Sequence, residues 1–193
     1  MPEPAAFPET LSTKRLLLRV PTGEHAAEQM KLVNANLEHL RPWMSWAQQP
    51  VTLEAQTERC LKSYERFLNS EDLMYLTFSA GRLIGACGIH RLDWSVPVGD
   101  IGYWLAEDAQ GYGYATELAG ALTELALRPT QAGGLGFGRI EIRCDPRNAR
   151  SAAVPLRLGY EREAVLKRSA ADAQGGVLRD TLVFARWSEE GDG

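Results

Sequence analysis

Ile101-Gly-Tyr-Trp-Leu-Ala-Glu-Asp-Ala-Gln110-Gly-Tyr-Gly113-Tyr-Ala115-Thr-Glu117 runs from an apolar strand-like stretch through a two-glycine turn into a helical pattern. Backbone N–H groups at a helix start have no intrahelical partners and lie at the positive end of the helix dipole. Glycine there lets a phosphate oxygen approach the backbone, so the stretch reads as a pyrophosphate cradle. A dinucleotide fingerprint would need a third Gly or Ala where Thr116 stands, and a P-loop would need Gly-Lys-Ser/Thr; neither is present. An ordinary glycine turn between strand and helix is the competing reading.

Around this stretch the composition is that of a globular chain. Of 193 residues, 45% are hydrophobic and 24% charged, which suits one domain with a full core. The expected organisation is a flexible arm over 1–12, one domain over 13–188 and a short tail over 189–193. No apolar run reaches the roughly 18 residues a membrane span needs. The opening Met-Pro-Glu-Pro-Ala-Ala-Phe-Pro lacks a basic n-region and an apolar h-region, so no signal peptide is expected. Cys60, Cys87 and Cys144 are odd in number and far apart, against a disulfide framework or zinc site and for a reducing cytoplasm. The net charge of −4 argues against a general nucleic-acid binder. From Arg128 to Arg168, however, nine Arg and Lys face four Asp and Glu, 9 − 4 = +5, a local balance that suits a small polyanion.

Periodicity alternates strands and helices. Strand-like runs are read at 14–20, 73–79, 83–92, 98–105, 140–144, 161–167 and 177–187; helices run from Thr22 to Asn34, Thr52 to Asn69, after Gly113 to Leu127, and Asn148 to Leu158. The glycine-rich stretch 129–138 precedes a strand rather than a helix, so it is a connector. The pattern predicts an α/β (α+β) fold: a central mixed, mostly antiparallel sheet of about seven strands flanked by about four helices.

A second signature lies downstream: Asn148-Ala-Arg-Ser151-Ala-Ala-Val154-Pro-Leu-Arg-Leu158-Gly159-Tyr160. Together with Gln110-x-x-Gly113-x-Ala115 it resembles the acyl-CoA signature and the N-x-x-S-x-x-V…L-G-F/Y element of the Gcn5-related N-acetyltransferases. Thr13-Lys-Arg-Leu-Leu-Leu-Arg19, Leu40-Arg-Pro-Trp43…Trp46 and Ile101–Leu105 resemble the Rim-type branch, which acetylates N-terminal amines of ribosomal proteins. The resemblance spans about residues 13–187.

It implies acetyl-CoA as co-substrate and assigns roles residue by residue. Gln110, Gly111, Tyr112, Gly113, Tyr114 and Ala115 would hold the pyrophosphate. Trp104 and Leu105 would offer backbone to the pantetheine while their side chains pack in the core. Asn148 would bond the pantetheine arm, or simply cap its helix. Acetyl transfer to an amine also needs a proton for the thiolate, and Ser151 is the hydroxyl placed to give it. Many family members carry a tyrosine acid where this chain has Pro155, which can donate nothing. Asp100 stands where the Rim-type branch commonly has an acid and is the first candidate base; His90 and Glu163 are further ones. Glu38, Arg41, Trp43, Trp46 and His90 are expected on the acceptor side, with buried or solvated roles as the alternative. No spacing suggests a metal.

The function implied is N-acetyl transfer from acetyl-CoA to a primary amine in a ternary complex, with the N-terminal α-amine of a protein preferred. Small amines (polyamine, amino acid, antibiotic) are the alternative acceptors, and a non-catalytic acyl-CoA sensor is the reading outside enzymology. A homodimer is compatible with the resemblance.

Overall fold

The computed structural model describes residues 7–188. In chain order it builds β1 (Thr10–Ser12), β2 (Leu16–Arg19), α1 (Ala26–Ala35), α2 (Leu37–Leu40), α3 (Leu53–Leu68), β3 (Leu73–Ser79), β4 (Arg82–Asp93), β5 (Val98–Leu105), α4 (Tyr114–Leu127), β6 (Arg139–Cys144), α5 (Ala149–Arg157), β7 (Glu161–Ala171) and β8 (Leu178–Trp187). The strands form one eight-stranded sheet in the order β1-β2-β3-β4-β5-β6-β8-β7. All neighbours are antiparallel except β5 and β6. This is the mixed α/β architecture expected, with one strand and one short helix more.

The extra strand falls within the segment expected as an arm. Phe7 is buried, its ring 5.9 Å from those of Phe67 and Trp94. Thr10–Ser12 pairs with β2. With Phe7 buried ahead of it, Thr10–Ser12 forms a sheet edge; residues 1–6 and the expected tail lie outside the described residues. The extra helix, α2, is a single turn too short to show a 3.6-residue period. The helix expected from Thr22 opens instead as a 3₁₀ turn over Gly23–His25 before α1.

Helix boundaries follow their caps. Thr52 accepts from the Ala55 N–H at the start of α3, and Asn148 accepts from the Ser151 N–H at the start of α5. Beyond Leu127 the chain turns extended at Arg128, ahead of Pro129. The sheet has two covered faces. On one, Leu76, Ala86 and Trp104 meet Leu32 of α1. On the other, Ile101 and Leu105 join Leu118 and Leu122 of α4 in the main core.

One irregularity creates room in the middle of the sheet. β5 and β6 pair only at Val98–Asp100 with Arg139–Glu141. Beyond that point β6 goes on along β8 to Cys144, while Ile101–Leu105 of β5 has no β6 partner. Two parallel neighbours thus part company, leaving one backbone edge of β5 open where the chain heads into the glycine turn.

Candidate active site

The turn after β5 has the geometry its glycines allow. Gly111 and Gly113 both lie in the left-handed region, at φ +83° and +80°, which L side chains rarely adopt. Gly113 caps α4. The backbone N–H groups of Gly111 through Thr116 have no partner among the described residues. A row of free donors at a helix N-terminus is a site for an anion, and the two glycines add no side chain over it.

Two arginines from distant elements flank this row. Arg15 donates from Nη1 to the Tyr112 carbonyl at 2.8 Å and from Nε to Glu117 Oε2 at 2.6 Å; its guanidinium lies 4.8 Å from the centre of the Tyr114 ring. Glu117 also accepts from Thr13 Oγ1 at 2.6 Å and from the Arg15 N–H at 2.8 Å. Gln110, expected among the cofactor-binding residues, bridges two elements: its Nε2 donates to His39 Nε2 at 2.6 Å, and its carbonyl accepts from Arg150 of α5. Arg15 and Arg150 were not among the residues singled out from the sequence. Partners 97 and 40 positions away leave no local trace, although the basic excess of 128–168 included Arg150.

Along the open edge, alternation decides which backbone groups are free. The Ala106 N–H donates to Ile84 O of β4 at 2.8 Å, so the groups of Trp104 also turn towards β4. Those of Tyr103 and Leu105 face the gap. Of the two residues expected to offer backbone to the pantetheine, Leu105 has its groups on the gap side and Trp104 on the β4 side. The Trp104 side chain instead meets Trp46, with ring centres 5.9 Å apart.

Ser151 lies across the gap, on the first turn of α5. Its N–H is held by Asn148 Oδ1 at 3.1 Å, so Asn148 is the helix cap; its amide nitrogen has no partner among the described residues. Tyr103 reaches the same place from β5. Its hydroxyl donates to the Ser151 carbonyl at 3.3 Å and lies 3.4 Å from Ser151 Oγ. Pro155 explains why that carbonyl is available: it is the residue whose N–H would have bonded Ser151 O within the helix, and it has none. The proline that replaces the expected tyrosine thus frees a carbonyl that another tyrosine binds. Burial pushes the Tyr103 phenol up to about 12 and the Cys144 thiol, beside Ser151 at the end of β6, up to about 11. Both are therefore protonated near neutral pH, and Cys144 is no activated nucleophile.

The other face of the sheet carries a cavity of about 240 Å³ lined by Pro21, Gln29, Val33, Trp46, Gln56, Arg59, Cys60, Ser63, Met74 and Trp104. Its polar floor is organised by Cys60, which donates to Gln29 Oε1 at 3.3 Å and accepts from Gln56 Nε2 at 3.8 Å. Gln29 and Gln56 are 4% and 3% exposed. Gln29 Nε2 and Gln56 Oε1 have no partner among the described residues, nor are they among the buried unpaired atoms. Both residues line the cavity and bring to it an amide nitrogen and a carbonyl without protein partners.

Of the acceptor-side residues expected from the sequence, only Trp46 lines this cavity. Glu38 is exposed. Arg41 turns inward, its Nε buried without a partner among the described residues, and Trp43 lies under the Arg147 guanidinium at 5.8 Å. Asp100 is gripped by Arg91 and lies 3.6 Å from Arg143 Nε; burial raises its pKa against the pull of both arginines. Glu163 is engaged by Arg139. His90 bonds Asp72 through Nδ1 at 2.7 Å. No group of three or more His, Cys, Asp or Glu among the described residues could hold a metal ion, and none of their helices is long and apolar enough to cross a membrane.

Known proteins resemble this chain in sequence and fold. The acetyltransferase (GNAT) domain matches residues 15–161. The ribosomal-protein-serine acetyltransferase of Escherichia coli is 27% identical over 179 residues, 92% of this chain and 96% of that protein. Among solved structures, Mycobacterium smegmatis RimJ in complex with CoA-disulfide superposes with a TM-score of 0.83 at 25% identity, over 97% of this chain and 91% of that one. The microcin C7 self-immunity acetyltransferase MccE, bound to acetyl-CoA and AMP, gives 0.84 at 22% identity over 95% and 98%. With its family domain matched over residues 15–161, the chain belongs to the GNAT acetyltransferases.

Proposed function

We propose that this protein transfers an acetyl group from acetyl-CoA to the N-terminal α-amine of a protein or peptide whose first residue carries a small hydroxyl or carboxamide side chain. The observation that carries this reading is the cavity beside Trp104. Its lining holds the unpartnered amide nitrogen of Gln29 and the unpartnered carbonyl of Gln56. A buried site of that kind favours a neutral group able to accept and donate, and disfavours an apolar one that leaves both amides unpaired. Trp46 and Trp104 form an apolar wall beside it. Support for a protein acceptor comes from the relative named for ribosomal-protein serine.

In this account the N–H row of Gly111–Thr116 holds the pyrophosphate, with Arg15 and Arg150 adding positive charge. The open edge of β5 at Leu105 takes the pantetheine arm. Ser151 passes a proton to the departing sulfur, and Tyr103 steadies the carbonyl of the same residue. Acetyl-CoA supplies the activated acyl group; the protein supplies position and protons.

The test is CoA release with peptides varied only at the first residue, with polyamines and free amino acids alongside. Ser-, Thr- or Asn-initiated peptides are expected to exceed Val- or Leu-initiated ones by about tenfold or more in kcat/KM. Equal rates across side chains, or release with small amines only, would overturn the assignment of the acceptor.

A further inference from the structure

His90 lies on the face of the sheet that carries the acceptor cavity. Alternation along β5 puts Asp100, Gly102 and Trp104 on this face, and the β4 register pairs them with His90, Gly88 and Ala86. Met74 stands opposite Gly88 on β3, and both Met74 and Trp104 line the cavity. The imidazole is not itself part of the cavity lining. It folds back over the two glycines between it and Trp104: a Cβ added to Gly88 would lie 2.8 Å from His90 Cε1, and one added to Gly102 would lie 3.0 Å from Cδ2. Any larger residue at either glycine would claim the space the ring occupies.

The ring is also fixed electronically. Asp72, immediately before β3, is 7% exposed and bonds Nδ1 of His90 at 2.7 Å. A carboxylate accepts from Nδ1–H, which leaves the Nε2 lone pair free, 3.3 Å from where a Gly102 Cβ would be. Arg66 of α3 stands 3.6 Å behind, on the other oxygen of Asp72. Across the register lies Asp100, held by Arg91 and Arg143. A β4 bulge after His90 makes this possible: Arg91 takes φ +50°, a conformation non-glycine residues rarely adopt, and its guanidinium closes on Asp100. The bulge thus brings Arg91 to Asp100, while Asp72 bonds His90 with Arg66 behind it.

We propose that His90, oriented by Asp72, is the general base that deprotonates the acceptor ammonium over Gly102. The assignment rests on the acetyltransfer reading above. His90 Nε2 takes one proton from the α-ammonium group. The freed nitrogen lone pair forms the C–N bond to the acetyl carbonyl, the C–S bond breaks, and its electron pair stays on sulfur. A second amine proton reaches that sulfur by way of the Ser151 hydroxyl, the third stays on the amide, and His90 returns its own to solvent. Asp100, committed to two arginines, is a positioning residue for this end of β5.

The experiment compares wild type, His90→Gln and Asp72→Asn on one Ser-initiated peptide, with acetyl-CoA affinity measured by calorimetry on each. For His90→Gln, kcat is expected to fall by about 100-fold or more at pH 7, with KM and acetyl-CoA affinity kept. The deficit should shrink above about pH 8, where α-amines are neutral unaided. Asp72→Asn should show a smaller loss, again in kcat. Should His90→Gln not fold, Gly102→Ala serves instead: its methyl displaces the ring, lowers kcat and leaves acetyl-CoA binding intact. A folded His90→Gln or Gly102→Ala protein with wild-type kcat at pH 7 would overturn the assignment alone. A wild-type protein that acetylates no amine would overturn the acetyltransfer reading, and the assignment with it.

Discussion

Ser151 stands where three elements meet: its own helix α5, Tyr103 of β5 and Cys144 at the end of β6. Two of its neighbours could in principle compete with it chemically. Tyr103 is held protonated by burial, up to about 12, so it acts as a donor and is not a base. Cys144 is held as the thiol, up to about 11, so it does not offer a thiolate for an acetyl-enzyme. Ser151→Ala is therefore expected to lower kcat by about 100-fold with acetyl-CoA affinity unchanged, whereas Cys144→Ala keeps most of the wild-type rate. Steady-state rates of the two variants on one peptide decide it: a Cys144→Ala protein that has lost transfer would reinstate a covalent route.

At the scale of elements, the N-terminus of α4 presents the row of free donors. Its donors are free because Gly113 caps the helix in the left-handed region without a side-chain acceptor of its own. Arg15 and Glu117 tie the turn to the first strands. Gly113→Glu is expected to weaken acetyl-CoA binding by about tenfold or more, ~1.4 kcal/mol, by setting a carboxylate against the pyrophosphate and straining a left-handed position. Calorimetry on the folded variant checks it; unchanged affinity would remove the cradle. Much of this element was legible in sequence, because a strand period, two glycines and a helix period follow one another within 101–127. Asn148 and Thr52 marked helix starts for the same local reason. What stayed hidden depends on pairs far apart in the chain. Glu117 meets Thr13 across 104 positions, Tyr103 meets Ser151 across 48, and Asp72 meets His90 across 18. Pro155 could be read as the loss of an acid, but not as the release of the carbonyl that Tyr103 binds.

At the scale of the whole molecule, the proposed function turns on one broken pairing. Where β5 leaves β6, the sheet opens a backbone edge between two differently furnished faces. On one lie α4, α5, Ser151 and Tyr103; on the other lie the cavity, Trp46, Trp104 and His90. A thioester lying along the edge would be reached by an amine from one side and by a proton donor from the other. The Trp-rich segment shows how far composition could lead. Arg41, Trp43 and Trp46 are near neighbours in sequence, yet only Trp46 turns into the cavity, because Trp43 lies under Arg147 and Arg41 faces inward. Gln29, Gln56 and Cys60 come from α1 and α3 and meet only once those helices cross. The measurement that tests the account most directly is mass spectrometry of a Ser-initiated peptide incubated with the protein and acetyl-CoA, beside the same peptide with its α-amine blocked. The account predicts one acetyl group, located on the α-nitrogen, and none on the blocked peptide. Acetylation of a lysine side chain, or of neither peptide while polyamines are consumed, would contradict it.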